Sequence, residues 1–228
     1  HRFLNLMGGC TRAMNSYSTA AAQVILPHVI APWPQMELQQ TTLQNIIDHT
    51  QLFVAFGGLP KRNAQVAYGG VTEHRTALDF DRAHKAGTEF VSISPIANDT
   101  ESSLGASWLA PVPGTDVALM LSLAYVLETQ NLSDASFLDS HCVGYSKVKD
   151  YLLGRADGIA KTPHWASSIC GVAAEDIEDL ACKMAGRRTF LAAAWSLQRG
   201  DHGEQPYWML ATLAAMLGQV GLPGGGFG

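Results

Sequence analysis

The stretch Gln51-Leu52-Phe53-Val54-Ala55-Phe56-Gly57-Gly58 decides the fold. Five apolar residues run without interruption into two glycines. A strand with one wet face would alternate polar and apolar residues. A continuous run marks a strand covered on both faces, as in parallel sheets. The flanks support that reading. Residues 77–86 predict a helix, and Glu89-Phe90-Val91-Ser92-Ile93-Ser94-Pro95 a second strand with a polar tip. Ser107-Trp108-Leu109-Ala110 is a weaker third strand, and Pro113-Gly114-Thr115-Asp116 is a turn that starts a helix over 117–129. Interrupted helix over 133–153, then helices over 162–168 and 173–184, lead to a fourth strand over 188–195 and a last helix over 205–217.

Upstream, the first residues read as the last turns of a helix stopped by Gly8-Gly9. A helix is expected over 18–29, where Ala20, Ala21 and Ala22 are strong formers and Val24, Ile25 and Val29 give an apolar face. Pro32-Trp33-Pro34 is read as a break, and residues 36–47 as one further helix. Alternating strands and helices imply an α/β fold, three-layer αβα, with a mostly parallel, Rossmann-like sheet. The organisation expected is a helical and loop segment over 1–35 followed by an α/β region over 36–228.

Composition excludes several classes of function. Hydrophobic residues make up 47% of the 228 and charged residues 15%, which suits a packed core rather than a disordered chain. The net charge of −5 offers no basic excess for a phosphate backbone, so nucleic acid is not an expected partner. No apolar run reaches the roughly 18 residues of a membrane span. Cys10, Cys142, Cys170 and Cys182 are scattered with no C-x-x-C pair, which argues against a zinc or iron–sulfur cage. The ends, a helix stump and Leu222-Pro223-Gly224-Gly225-Gly226-Phe227-Gly228, read as cuts through structure. An interior piece of a longer chain is therefore expected, with the remaining segments of that parent chain as its partners.

In open parallel sheets ligands lie beyond the carboxyl ends of the strands. That rule selects Leu59-Pro60-Lys61-Arg62-Asn63, Ile93-Ser94-Pro95, Pro113-Gly114-Thr115, and Trp195-Ser196 with Arg199. Cationic side chains and helix-start amides at such places suit an anionic, nucleotide-like cofactor.

Several segments in order resemble the dimethyl sulfoxide reductase family of molybdopterin oxidoreductases. They are Phe3-Leu4-Asn5-Leu6-Met7-Gly8-Gly9, Tyr17-Ser18-Thr19-Ala20-Ala21-Ala22, Pro113-Gly114-Thr115-Asp116, Gly158-Ile159-Ala160-Lys161-Thr162, Trp195-Ser196-Leu197-Gln198-Arg199 and His202-Gly203-Glu204-Gln205. The nearest branch is that of the trimethylamine N-oxide and biotin sulfoxide reductases. The resemblance implies molybdenum held by two molybdopterin guanine dinucleotides, bis(molybdopterin guanine dinucleotide), and by one protein side chain, the serine that falls on Ser18. It implies reduction of small-molecule S-oxides or N-oxides by oxygen-atom transfer, with an electron donor protein as a further partner. Family dinucleotide contacts fall on Lys61, Arg62, Ile93, Ser94, Pro113, Gly114, Thr115, Trp195, Ser196 and Arg199. The glycine end is expected to form a backbone loop near the cofactor.

The chain also departs from the pattern. Ala20 stands where relatives carry glycine, and Ile96-Ala97-Asn98-Asp99 replaces the start of an Arg-x-Glu-Thr stretch, removing one cationic anchor. By itself Ser18 is an ordinary helix-start serine, Arg199 has Asp201 and Glu204 at hand as ion-pair partners, and His28 suits a structural place on an apolar helix. Two other readings compete: a cofactor-free relic or structural domain of the same family, and a nicotinamide-binding dehydrogenase domain. The second lacks a G-x-G-x-x-G after the first strand.

Overall fold

The computed structural model describes residues 2–11, 14, 16, 18, 20–38, 40–60, 62 and 73–228. Five parallel strands form one sheet in the order β3-β2-β1-β4-β5: β1 (Leu52–Phe56), β2 (Glu89–Ile93), β3 (Ser107–Leu109), β4 (Thr189–Ala193) and β5 (Gly226–Phe227). The central strand β1 pairs in register with β2 from Leu52↔Glu89 to Phe56↔Ile93 and with β4 from Leu52↔Thr189 to Phe56↔Ala193. All five of its side chains are buried, as the unbroken apolar run requires.

Helices cover both faces. Leu52, Val54 and Phe56 point into the larger core with Ile93, Leu191 and the helices α6 (Asp116–Thr129), α9 (Pro163–Cys170), α10 (Ala174–Ala185) and α11 (Gln205–Met216). Phe53 and Ala55 point the other way, against α4 (Leu43–His49) and α5 (Thr76–Lys85). On that second face Phe53 lies 5.4 Å from Phe190 and 5.5 Å from both Phe80 and Phe90, measured between ring centroids. This is the expected three-layer αβα arrangement. Helix α6 carries no polar stripe because it is packed nearly all round, with Leu119, Met120, Leu123 and Leu127 inaccessible to solvent.

The remaining helices are α1 (Arg2–Leu6), α2 (Ala20–Val29), α3 (Trp33–Leu38), α7 (Ala135–His141) and α8 (Tyr145–Leu152). Helix α2 docks on α11 through Ala22 and Leu26 against Tyr207 and Ala211.

Two expectations need correction in their bounds. Pro32 lies in the expected break between α2 and α3, but Trp33 and Pro34 already form the first turn of α3, because proline is tolerated where no intrahelical N–H bond is lost. The single helix expected over 36–47 is two, since Thr42 Oγ1 accepts from Asn45 N (3.2 Å) and starts α4 afresh.

The glycine end also differs. Gly226-Phe227 pairs with Phe190 and Leu191 as a fifth strand. The preceding turn is held at the amino edge of the sheet: Gly224 N donates to Asn45 Oδ1 (2.6 Å) and Thr50 Oγ1 to Gly224 O (2.7 Å). It therefore lies opposite the strand-end loops. A two-residue, glycine-led strand has no hydrophobic period to read.

Candidate functional site

The strand order reverses beside β1: β2 and β3 extend to one side, β4 and β5 to the other. The loops after β1 and β4 part there and leave a crevice at the carboxyl edge, the general ligand position of such sheets. A cavity of about 680 Å³ occupies it. Its walls are the turn Gly57–Pro60 with Arg62 after β1, Asp99 and Glu101 after β2, the start of α5, and Ala193–Ser196 with Arg199 after β4.

Close packing explains the two glycines after β1. A Cβ on Gly57 would stand 2.6 Å from Ala194 Cβ, and one on Gly58 would stand 2.6 Å from the Asp99 carbonyl oxygen. Both have positive φ, +90° and +74°. Without side chains the turn passes between the β2 and β4 loops and leaves its backbone facing the crevice.

The side chains of the crevice divide by availability. Arg62 forms an ion pair with Asp99 (2.5 Å), and Ser94 Oγ donates to the other carboxylate oxygen (2.8 Å). Ser94 is thus linked to the site through Asp99, while its carbonyl accepts from Trp108 Nε1 (2.8 Å). The Arg62 side chain is still 66% exposed. Among the described residues Arg199 has no carboxylate partner; Asp201 and Glu204 flank His202 instead, at 3.7 and 3.9 Å. Trp195 is 47% exposed at the mouth of the cavity.

Of the residues expected at the site, the structure gathers Arg62, Trp195, Ser196 and Arg199 around one cavity. Lys61 lies outside the described residues, as do Tyr17 and Thr19. Ile93 is placed differently: its side chain is wholly within the core, and its carbonyl is taken by Gly57 N (2.7 Å). Pro113, Gly114 and Thr115 sit farther along the carboxyl edge, on the turn into α6 and outside the cavity wall. Thr115 Oγ1 donates to Val112 O (2.6 Å) and does not cap α6, so the first amides of that helix keep no side-chain partner from Thr115. Burial pushes the Asp116 carboxyl above its usual range.

Ser18 is exposed, two residues before α2. Its place is set by Gln198, a residue the sequence reading passed over. Gln198 belongs to the 3₁₀ turn Trp195–Arg199 and is 4% exposed. Its Nε2 donates to Ser18 O, and its Oε1 accepts from Ala21 N (3.0 Å) and Ala22 N (3.4 Å). The serine segment is thereby fastened to the turn that carries Trp195 and Arg199. Tyr207, buried between α2 and α11, adds a bond from its hydroxyl to Ala194 O (3.0 Å), and burial pushes its phenol pKa up.

A serine segment fastened beside an arginine-lined crevice at the switch point narrows the choice of families. The family model described as molybdopterin oxidoreductase matches residues 1–228. The chain belongs to the molybdopterin oxidoreductase family. Within it, the whole chain is 42% identical to the dimethyl sulfoxide/trimethylamine N-oxide reductase of Cereibacter sphaeroides and to the trimethylamine-N-oxide reductase of Haemophilus influenzae. It is 40% identical to the biotin sulfoxide reductase of Cereibacter sphaeroides. These similarities place it in the dimethyl sulfoxide reductase group of the family. The chain spans 27% of the length of the first two relatives and 30% of the third. Among solved structures, acetylene hydratase from Pelobacter acetylenicus superposes with a TM-score of 0.58 over 89% of this chain and 28% of its own, at 18% identity, a likeness of fold.

Family membership implies molybdenum and a molybdopterin cofactor, and the crevice fits such a group. Its exposed guanidinium groups suit phosphate oxygens, its indole offers a flat face, and the Gly57-Gly58 backbone allows close approach. No described helix is long and apolar enough to cross a membrane.

Proposed function

We propose that this chain forms part of the guanine dinucleotide-bearing molybdopterin site of an S-oxide or N-oxide reductase, with Ser18 as the protein ligand to molybdenum. The observation that carries the reading is the convergence of Arg62, Trp195, Ser196 and Arg199 on one crevice at the switch point of the sheet, with the Ser18 segment hydrogen-bonded to the same turn. The relatives named as dimethyl sulfoxide, trimethylamine N-oxide and biotin sulfoxide reductases supply the substrate class.

Each residue has a distinct part. Arg199 takes phosphate oxygens as a bidentate donor, and Arg62, steered by Asp99, does the same from the opposite wall. Trp195 covers the ligand and excludes water, and the Ser196 hydroxyl supplies a further hydrogen bond. Lys61, next to Arg62 in sequence, brings a second positive charge to the same ligand. Ser94 acts through Asp99, by fixing the carboxylate that orients Arg62. The turn Pro113-Gly114-Thr115 turns the amino end of α6 toward a second anionic group, as helix N-termini do. Ser18 offers an alkoxide, a hard oxygen donor suited to a high-valent metal. The bound cofactor supplies the two-electron chemistry that removes oxygen from an S=O or N–O bond. For each oxide reduced, two electrons from a donor protein and two protons yield the reduced product and one water. In this reading residues 1–35 carry the metal-ligand motif and 36–228 the dinucleotide region.

The test is turnover by the full-length protein that carries this segment, purified from molybdenum-replete cells. Oxidation of a reduced dye in the presence of at least one S-oxide or N-oxide is expected, and its loss in Ser18→Ala. A molybdenum-containing preparation inert toward every S-oxide and N-oxide supplied would contradict the reading and favour the non-catalytic alternative.

A further inference from the structure

Gln198 stands inside a segment that carries the family resemblance, which assigns it no role, and among the described residues it is the side chain that hydrogen-bonds directly to the backbone of the Ser18 segment from the β4 loop. A glutamine in a helix interior or an exposed turn would be solvated. Here it is almost wholly buried, and both ends of its amide are used. The carbonyl end faces the first amides of α2, the groups that a helix leaves unsatisfied. The amide end faces the Ser18 carbonyl. The two ends therefore demand opposite partners, and together they hold the Ser18 carbonyl and the Ala21 and Ala22 amides at one place against the turn.

The turn that holds Gln198 is itself fixed. Gly203 packs so closely that a Cβ there would stand 2.1 Å from the Gln198 carbonyl oxygen. Tyr207 holds Ala194 just upstream. Apolar packing of Ala22 and Leu26 against Tyr207 and Ala211 sets which face of α2 is covered. The directional bonds of Gln198 set where along the helix axis the chain leaves α2, and hence where Ser18 stands relative to Trp195 and Arg199.

We infer that Gln198 is a positioning residue for the metal ligand: its side-chain amide fixes the place of the Ser18 segment against the turn, and through Ser18 it governs the coordination of the metal. The inference rests on the reading of Ser18 as that ligand. Supporting groups behind metal ligands alter affinity or activity by roughly 10–100-fold when removed.

The test compares Ser18→Ala, Gln198→Leu and Gln198→Glu in the holoenzyme. The readouts are the electron paramagnetic resonance spectrum of the half-reduced metal, the metal content, and amide hydrogen exchange at Ala21 and Ala22. The glutamate keeps the acceptor for the two amides and sets a carboxylate oxygen, which cannot donate when ionised, against Ser18 O, so it gives a second test should the leucine variant fail to fold. The expected result is an altered spectrum in Ser18→Ala, and a shifted or split spectrum in Gln198→Glu with the Ala21 and Ala22 amides still protected. Turnover in Gln198→Glu should fall by roughly 10-fold or more. A changed spectrum in Ser18→Ala with a native one in Gln198→Glu overturns the positioning role and leaves the ligand reading intact. A native spectrum in Ser18→Ala overturns the ligand reading, and with it the role of Gln198.

Discussion

The two edges of the sheet each carry glycines and one buried glutamine, and they use them in opposite ways. At the amino edge Gln219 accepts from Thr189 N and donates to Arg187 O, both at 2.7 Å, while Gly224 packs against His49 and Thr50. Every polar end there is spent on neighbouring backbone, and the edge is closed. At the carboxyl edge Gln198 reaches a segment far away in sequence, Gly57 and Gly58 let the β1 turn pass close between the β2 and β4 loops, and Arg199 and Trp195 remain exposed around a cavity. Saturated polar groups mark an edge built for stability. Charged and aromatic groups left open beside a saturated brace mark an edge built for a ligand.

The largest effect is expected where the closed edge is forced open. Gly224→Ala places a Cβ 2.6 Å from the His49 carbonyl carbon at φ +69°, with backbone on the far side. A loss of about 3 kcal/mol or more in urea-denaturation stability is expected, since neither the left-handed conformation nor the contact can relax cheaply. Gln219→Ala should cost about 2–3 kcal/mol in the same measurement, because it orphans the buried Thr189 amide as well as removing a bond. If either variant instead kept its stability and lost cofactor, the contrast between the edges would be wrong.

The carboxyl edge should respond in the reverse sense. Arg199→Ala removes an exposed side chain with no carboxylate partner among the described residues, so stability should change by less than about 0.5 kcal/mol. Retention of guanine nucleotide after gel filtration should fall by roughly 10-fold or more, the usual worth of a charge-assisted phosphate contact. The smallest effect sharpens the role of Asp99. Asp99→Asn breaks the ion pair with the exposed Arg62, and the change in thermal stability should stay below about 1 kcal/mol and shrink further in high salt.

How much of this was legible in the sequence follows from the range of each interaction. The buried run Leu52–Phe56 announced a covered parallel strand because burial is written into every residue of it. The strand-end rule then found Arg62, Trp195, Ser196 and Arg199 without any contact information. Ile93 does not line the cavity because the same rule does not say which way the last strand residue points; its side chain points into the core. The break between α3 and α4 was hidden by apolar spacing that continues across Thr42. Gln198 could not have been found at all from local pattern. Its partners lie about 180 residues upstream, and the segment Trp195-Ser196-Leu197-Gln198-Arg199, though it carries the resemblance, does not say what the glutamine touches. The sequence marked Ile96-Ala97-Asn98-Asp99 only for a missing cation; the pairing of Asp99 with Arg62 needed the fold.

The central claim, that the carboxyl-edge crevice holds a guanine dinucleotide form of the molybdopterin cofactor, is tested most directly by acid hydrolysis of the full-length protein. Molybdenum and released guanine nucleotide would be quantified in the same sample, for the native protein and for Arg199→Ala. Both should be present in the native protein, and the nucleotide should fall in the variant while the fold is retained. A well-folded native protein from molybdenum-replete cells that yields neither would contradict the claim.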